Sequence, residues 1–205
     1  AKVGLPKDAQ AILAIEQDGT EAQVREDLKR IEDICRREGA IEVRVARSPE
    51  EGAHVMEARR SALAALSRLR PTTILEDATV PRSKIADMVM EIQRIAERYN
   101  VQISTFGHAG DGNLHPTATT DARDHDEIER VEKAFEEIFE AAIRMGGTIT
   151  GEHGVGIVKA PYLEWKAGAA GVALMKRLKH AFDPDNLLNP GKLFAEPRKR
   201  LVISR

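Results

Sequence analysis

The stretch Gly107-His108-Ala109-Gly110-Asp111-Gly112-Asn113-Leu114-His115 constrains the fold more than any other part of this chain. Its three glycines disfavour a helix, and a straight helix would separate the two histidines by about 10 Å of rise. Asp-Gly is the favoured pair for a two-residue type I′ turn, so the sequence predicts a hairpin turning at Asp111-Gly112. The strands then pair 110 with 113, 109 with 114 and 108 with 115. In that register His108 and His115 stand directly opposite each other on one face, with Cβ atoms about 5 Å apart. At that spacing two imidazoles can share one metal ion, although two hydrogen-bonded hairpin residues would give the same pattern.

Strand periodicity supports this placement. In Val101 to His108, alternation puts Val101 and Ile103 on one face and Gln102, Ser104 and His108 on the other. After the turn, His115, Thr117 and Thr119 share one side, and Leu114 and Ala118 the other. The histidines therefore lie on the polar face, opposite the expected core. Pro116 donates no hydrogen bond and predicts a sheet edge or a bulge close to His115. A second cluster, Thr148-Ile149-Thr150-Gly151-Glu152-His153-Gly154-Val155-Gly156, runs a short strand into a glycine-flanked Glu-His pair. Together the two clusters make His108, His115 and Glu152 candidate metal ligands, and His153 a candidate acid/base.

The remaining elements follow from caps and periodicity. Ala9 to Glu16 reads as a buried strand ended by Asp18-Gly19, and Thr20 caps a helix striped by Val24, Leu28, Ile31 and Cys35. Ile41 to Ala46 reads as the next strand. Ser48-Pro49-Glu50-Glu51 opens a helix whose buried side is Met56, Leu63, Leu66 and Leu69. Thr73 to Val80 is extended, and Pro81 opens a helix carrying Ile85, Met88, Val89, Ile92, Ile95 and Tyr99. After the hairpin, Asp124 to Met145 forms a long helix through Ile128, Val131, Phe135, Ile138 and Ala142, then the Thr148 strand, then helical stretches near 158–167 and 171–182. This order predicts an α+β fold: a mostly antiparallel, ferredoxin-like sheet with helices packed on one face, open to duplication by element order, and a C-terminal helical segment.

Composition excludes several classes. At 205 residues, with 42% hydrophobic and 31% charged residues, the chain is an ordinary globular sequence. A net charge of −2 does not suit nucleic acid, and the basic Arg198 to Arg205 stretch reads as a solvated terminus. Cys35 is the single cysteine, which rules out an internal disulfide or a thiolate cluster within one chain and suits a reducing cytoplasm. No apolar run reaches the ~18–20 residues of a membrane span. Gly107, Gly110 and Gly112 reverse the dinucleotide fingerprint and precede a strand, and Asp121 to Glu129 lacks calcium-loop spacing.

The hairpin, the Gly-Glu-His-Gly-Val-Gly cluster and the ending Asp183-Pro184-Asp185-Asn186-Leu187-Leu188-Asn189-Pro190-Gly191-Lys192 together resemble one family. They are similar to the C-terminal portion of FAD-linked oxidases of the vanillyl-alcohol-oxidase superfamily, in the branch that holds glycolate oxidase and the D-lactate and D-2-hydroxyglutarate dehydrogenases. The resemblance implies one cap and substrate domain over 1–205, with 183–205 as its tail, and a separate N-terminal FAD-binding domain that this chain lacks. It implies FAD and a divalent zinc, manganese or iron ion as cofactors, with His108, His115 and Glu152 as metal ligands and His153 as the base. By the same resemblance Arg59 clamps the substrate carboxylate, with Arg60 the competing choice. Asn189 lies near the flavin, unless it is only a turn residue before Pro190. Leu75 stands where hydroxyglutarate-type members carry a lysine, which favours a smaller monocarboxylic 2-hydroxy acid.

The expected partners are therefore a small 2-hydroxy acid, the FAD-binding domain and further subunits of an oxidase complex, with a cytoplasmic location that is peripheral at a membrane through those subunits. Two other classes fit the residues: a non-catalytic metal-binding or assembly module that docks to another chain, and a metal hydrolase using the His-His-Glu set.

Overall fold

A computed structural model describes residues 9–194 and divides the chain into two compact units, 1–65 and 66–205. The basic Arg198 to Arg205 stretch lies outside the described residues.

In the first unit, Thr20 caps helix α1 (Glu21–Arg37), its hydroxyl accepting from the Gln23 amide. Val24, Leu28, Ile31 and Cys35 are each half-buried. Ser48 and Pro49 start α2 (Pro49–Arg60) as expected. The helix does not continue to Leu69. It stops at Ser61, whose hydroxyl donates to the Glu57 carbonyl, and a short α3 (Ala62–Leu66) follows. That break resets the helical face, so Leu63 and Leu69 are exposed where a buried side was expected.

The strands expected over Ala9 to Glu16 and Ile41 to Ala46 do not form. An extended apolar segment becomes a strand only when a neighbour satisfies its amides, and among the described residues neither segment is paired. Ile12, Leu13, Ile15 and Ile41 are exposed as a result.

The second unit is built on an antiparallel sheet of four strands: β1 (Thr72–Leu75), β2 (Ala78–Thr79), β3 (Ile103–His108) and β4 (Asn113–Thr120). β1 and β2 pair with the same edge of β4 in one continuous register, from Thr72 opposite Thr120 to Thr79 opposite Asn113. Their interruption at Glu76-Asp77 faces Pro116 and His115. The Glu76 amide donates to the Pro116 carbonyl at 3.1 Å, and proline has no N–H to return the bond. Pro116 thus marks a break in the ladder but not a sheet edge, because β4 is central, with β3 on its other side.

The Thr148 strand reduces to one bridge, with Thr79 and Thr148 exchanging both backbone hydrogen bonds. With α4 (Ile85–Tyr99) between β2 and β3 and α5 (His125–Arg144) between β4 and that bridge, the unit has the ferredoxin-like order of elements. Leu114 and Ala118 on one face of β4 meet Met88, Ile92 and Ile95 of α4 and Val131, Phe135, Ile138 and Phe139 of α5 in a single apolar core. The two expected C-terminal helical stretches are joined as α6 (Leu163–Phe182), kinked at Gly168.

Candidate metal centre

The hairpin turn is longer than the Asp-Gly reading allows. His108 pairs with Asn113 and Phe106 with His115, so four residues, 109–112, make the turn. The register is shifted by two from the expected one. A shift of two keeps every side chain on its face, so His108 and His115 remain on the same side, diagonal to each other, with ring centroids 5.3 Å apart and planes at 88°. Gly112 adopts φ +75, and a Cβ there would collide with the Val80 carbonyl. The turn therefore bends tightly against the end of β2.

The face that carries the histidines lies opposite the α4/α5 core. Its cross-strand pairs include Leu75 with Thr117, Ser104 with Thr117 and Phe106 with His115. Thr117 and Thr119 are as buried as the core residues. His115 is only 4% exposed. Burial first, and then the neighbouring His153, push its pKa below the usual imidazole value, which favours the neutral form that can donate a lone pair. Its Nδ1 is buried and has no hydrogen-bond partner among the described residues. Such an orphan in a native fold calls for a functional role or an ordered water.

Glu152 and His153 reach this face from the loop after the Thr148 bridge. Glu152 Oε1 lies 3.0 Å from His115 Nε2 and 3.4 Å from His108 Nε2. One donor atom from each of His108, His115 and Glu152 falls within 4.8 Å of the others. Atoms bound at about 2.1 Å to one tetrahedral ion lie about 3.4 Å apart, so two imidazoles and a carboxylate at these separations fit a divalent cation. Glu152 is half exposed, which leaves that side of the donor set open to a further ligand. The His153 ring stacks on His115 with centroids 5.1 Å apart and planes at 13°. Its Nε2 is 3.8 Å from Glu152 Oε1, and its Nδ1 is 3.8 Å from Asp77 Oδ1. His108, His115, Glu152 and His153 are thus brought together.

Arg59 lies near the end of α2 in the first unit and is exposed. Asn189 is exposed, with φ +50, and its carbonyl accepts from the Lys192 amide. That is the conformation of a turn residue. The turn returns the chain to the loop after His153, where the Leu193 amide donates to the Gly156 carbonyl.

Two residues that sequence reasoning passed over stand behind the cluster. Asp77, fully buried at the ladder break, accepts at Oδ2 from the Thr150 hydroxyl and from the amides of Gly151, Glu152 and His153. Its other oxygen takes the ammonium of Lys159, which is 3% exposed and also lies 3.2 Å from Glu76 Oε2. Burial alone would raise the Asp77 pKa, but Lys159 and the Glu152 and His153 amides outweigh it and hold the carboxyl well below its usual range. Burial has the upper hand at Glu76, whose pKa is raised despite Lys159. The available signal was two adjacent acids inside an otherwise uncharged extended run, since buried carboxylates need partners.

Residues 1–193 match the family described as FAD linked oxidases, C-terminal domain. The chain is 62% identical over its full length to glycolate oxidase subunit GlcD of Bacillus subtilis, covering 44% of that protein. It is 38% identical over 92% of its length to GlcD of Escherichia coli K12, covering 38% of it. A protein of Danio rerio named probable D-lactate dehydrogenase, mitochondrial, is 34% identical over 88% of this chain, which covers 37% of that protein. The chain thus spans less than half the length of these relatives, and with nearly all of its residues matched it belongs to the C-terminal domain family of the FAD linked oxidases.

Proposed function

We propose that this chain is the substrate-binding cap of a flavin-dependent D-2-hydroxy-acid dehydrogenase of glycolate or D-lactate type, which oxidises the hydroxy acid to the 2-oxo acid. In this reading His108, His115 and Glu152 hold a divalent zinc, manganese or iron ion. The convergence of those three side chains on one sheet face, at separations that suit a single ion, carries the proposal. The relatives named for glycolate oxidation and D-lactate dehydrogenation support the substrate class. A bound ion would supply Lewis-acid chemistry to a chelated hydroxyl, and a bound FAD would supply the hydride acceptor.

The remaining work falls to the chain's own residues. His153 takes the substrate hydroxyl proton at Nε2, the nitrogen turned toward Glu152 Oε1, while its Nδ1 faces Asp77. Arg59 grips the carboxylate with its guanidinium fork and so orients the α-carbon. Asn189 approaches the flavin. Leu75 stands on the same sheet face as His115, and an apolar side chain there offers no charge to a second carboxylate. That supports a monocarboxylic substrate. The word subunit in the two GlcD names supports an assembly with further chains. The proposal sets that assembly in the cytoplasm, meeting the membrane through its partners. No helix among the described residues is long and apolar enough to cross a membrane.

The test is elemental analysis of the purified chain beside a His108→Ala/His115→Ala variant, followed by dye reduction with glycolate or D-lactate after the flavin-binding portion is restored. About one divalent ion per chain, lost in the folded variant, is the expected result. A chain that takes up neither zinc nor manganese when re-supplied would sink the ligand assignment. Metal uptake without rescued dye reduction would favour a metal-binding module that docks to another chain.

A further inference from the structure

Glu152 and His153 sit on a loop with little reason of its own to hold one shape. It contains Gly151, Gly154 and Gly156, and its nearest regular pairing is the single bridge at Thr148. Its conformation is imposed from Asp77, in the break between β1 and β2, more than seventy positions earlier. Asp77 Oδ2 receives the Thr150 hydroxyl at 3.2 Å and the amides of Gly151, Glu152 and His153 at 2.8, 2.9 and 3.0 Å. The Thr150 oxygen in turn accepts from the Gly154 amide at 2.9 Å, closing the turn. Lys159 fixes the other carboxylate oxygen and donates to the Asp77 carbonyl at 3.0 Å, with its ammonium 5.5 Å from the centre of the Phe139 ring.

With four donors on Oδ2 and the Lys159 ammonium on Oδ1, Asp77 is engaged on both oxygens by its protein neighbours and stands outside the His108, His115 and Glu152 donor set. A buried ion pair of this kind is weak evidence for stability, because desolvation offsets much of its attraction. Its geometry nonetheless fixes three consecutive amides, including those of both functional side chains. We infer that Asp77, anchored by Lys159, is the positioning residue of the candidate metal centre: it holds the 150–154 turn so that Glu152 and His153 meet the hairpin histidines. This rests on the reading of His108, His115 and Glu152 as ligands. Residues that orient metal ligands typically change affinity by about 10- to 100-fold when altered.

The experiment compares the full chain with Asp77→Asn, with the milder Thr150→Val, and with Glu127→Gln, which removes a buried carboxylate elsewhere in the same unit. Zinc affinity is measured by competition with a chromophoric chelator, and amide hydrogen exchange of the 151–153 segment is followed without metal. Asp77→Asn should weaken zinc binding about 10- to 100-fold and speed exchange at 151–153. Thr150→Val should do both to a smaller degree, and Glu127→Gln neither. A folded Asp77→Asn protein with unchanged affinity and unchanged exchange overturns the inference. If Asp77→Asn does not fold, unchanged affinity and exchange in Thr150→Val overturn it instead. Should the unsubstituted chain bind no zinc, the ligand assignment fails, and the exchange comparison alone decides whether Asp77 holds the turn.

Discussion

Gly151 sits where the loop carrying Glu152 crosses the end of the sheet. A Cβ at this position would overlap the Thr79 hydroxyl and the Asn113 side-chain amide, which are hydrogen-bonded to each other at 3.0 Å. Neither can retreat freely, because Asn113 is buried and Thr79 is tied to Thr148. Gly151→Ala should therefore push the Glu152 carboxylate out of line with the two histidines and weaken zinc binding at least about 10-fold. Overall stability should fall by about 1–3 kcal/mol, the usual cost of overpacking. Calorimetric zinc titration beside a thermal melt checks both; wild-type affinity in the variant would show that the loop tolerates the side chain. The cluster was legible in the sequence because imidazoles among glycines are conspicuous and because strand alternation assigns them a face. Asp77 was not legible in that way: its partners Gly151, Glu152 and His153 lie 74 to 76 positions away, and no local pattern announces them.

At the scale of elements, Glu127 ties α5 to β4 and to the segment that leads into β1. It stands in the first turn of α5, accepts from Thr120 at the end of β4 at 2.6 Å, and pairs at 2.5 Å with Arg70, which precedes β1. Burial pushes its pKa up, but Arg70 and Thr120 outweigh that and leave it below the usual carboxylate value. A carboxyl whose folded pKa is depressed stabilises the fold above its unfolded pKa of about 4.3, and that contribution is lost as pH falls through the folded value. Glu127→Gln should thus lower stability at pH 7 by about 1.5–3 kcal/mol, the scale of a hydrogen bond to a charged group. The difference from wild type should shrink as pH drops below about 4. Urea melts at pH 7 and pH 3.5 check the sign; a gap that widens in acid would refute it. The starts of α1 and α2 were readable from their caps, Thr20 and Ser48, and α5 from its apolar periodicity. The hairpin register was not, because Asp111-Gly112 suits a two-residue turn and only tertiary contact with Val80 selects the longer one. The strands expected over 9–16 and 41–46 had the right composition but needed a partner edge, which periodicity does not reveal.

Across the whole molecule, burial is confined to one of the two units. All buried residues among those described lie between Glu76 and Asp183, and the first unit contributes none. Its helix α1 is amphipathic, yet its stripe is only half covered, and Ile34, Ile41 and Val45 are exposed. At about 25 cal/mol per Å² of apolar surface removed from water, a unit without a buried side chain gains little to offset its conformational entropy. The second unit has Phe135, Phe139, Met88, Ile92, Ile95 and Ile138 fully enclosed. Segments with few buried contacts open at low free-energy cost, and proteases cut the open form. Brief trypsin treatment should therefore cleave first between Arg25 and Arg60, while the span from β1 through the 150–154 turn survives. The surviving piece should retain zinc, because His108, His115 and Glu152 all belong to it. Mass spectrometry of the early fragments, with metal measured on the resistant one, decides the matter. First cuts inside α4 or α5 would place the weak point in the sheet unit and overturn this division of stability.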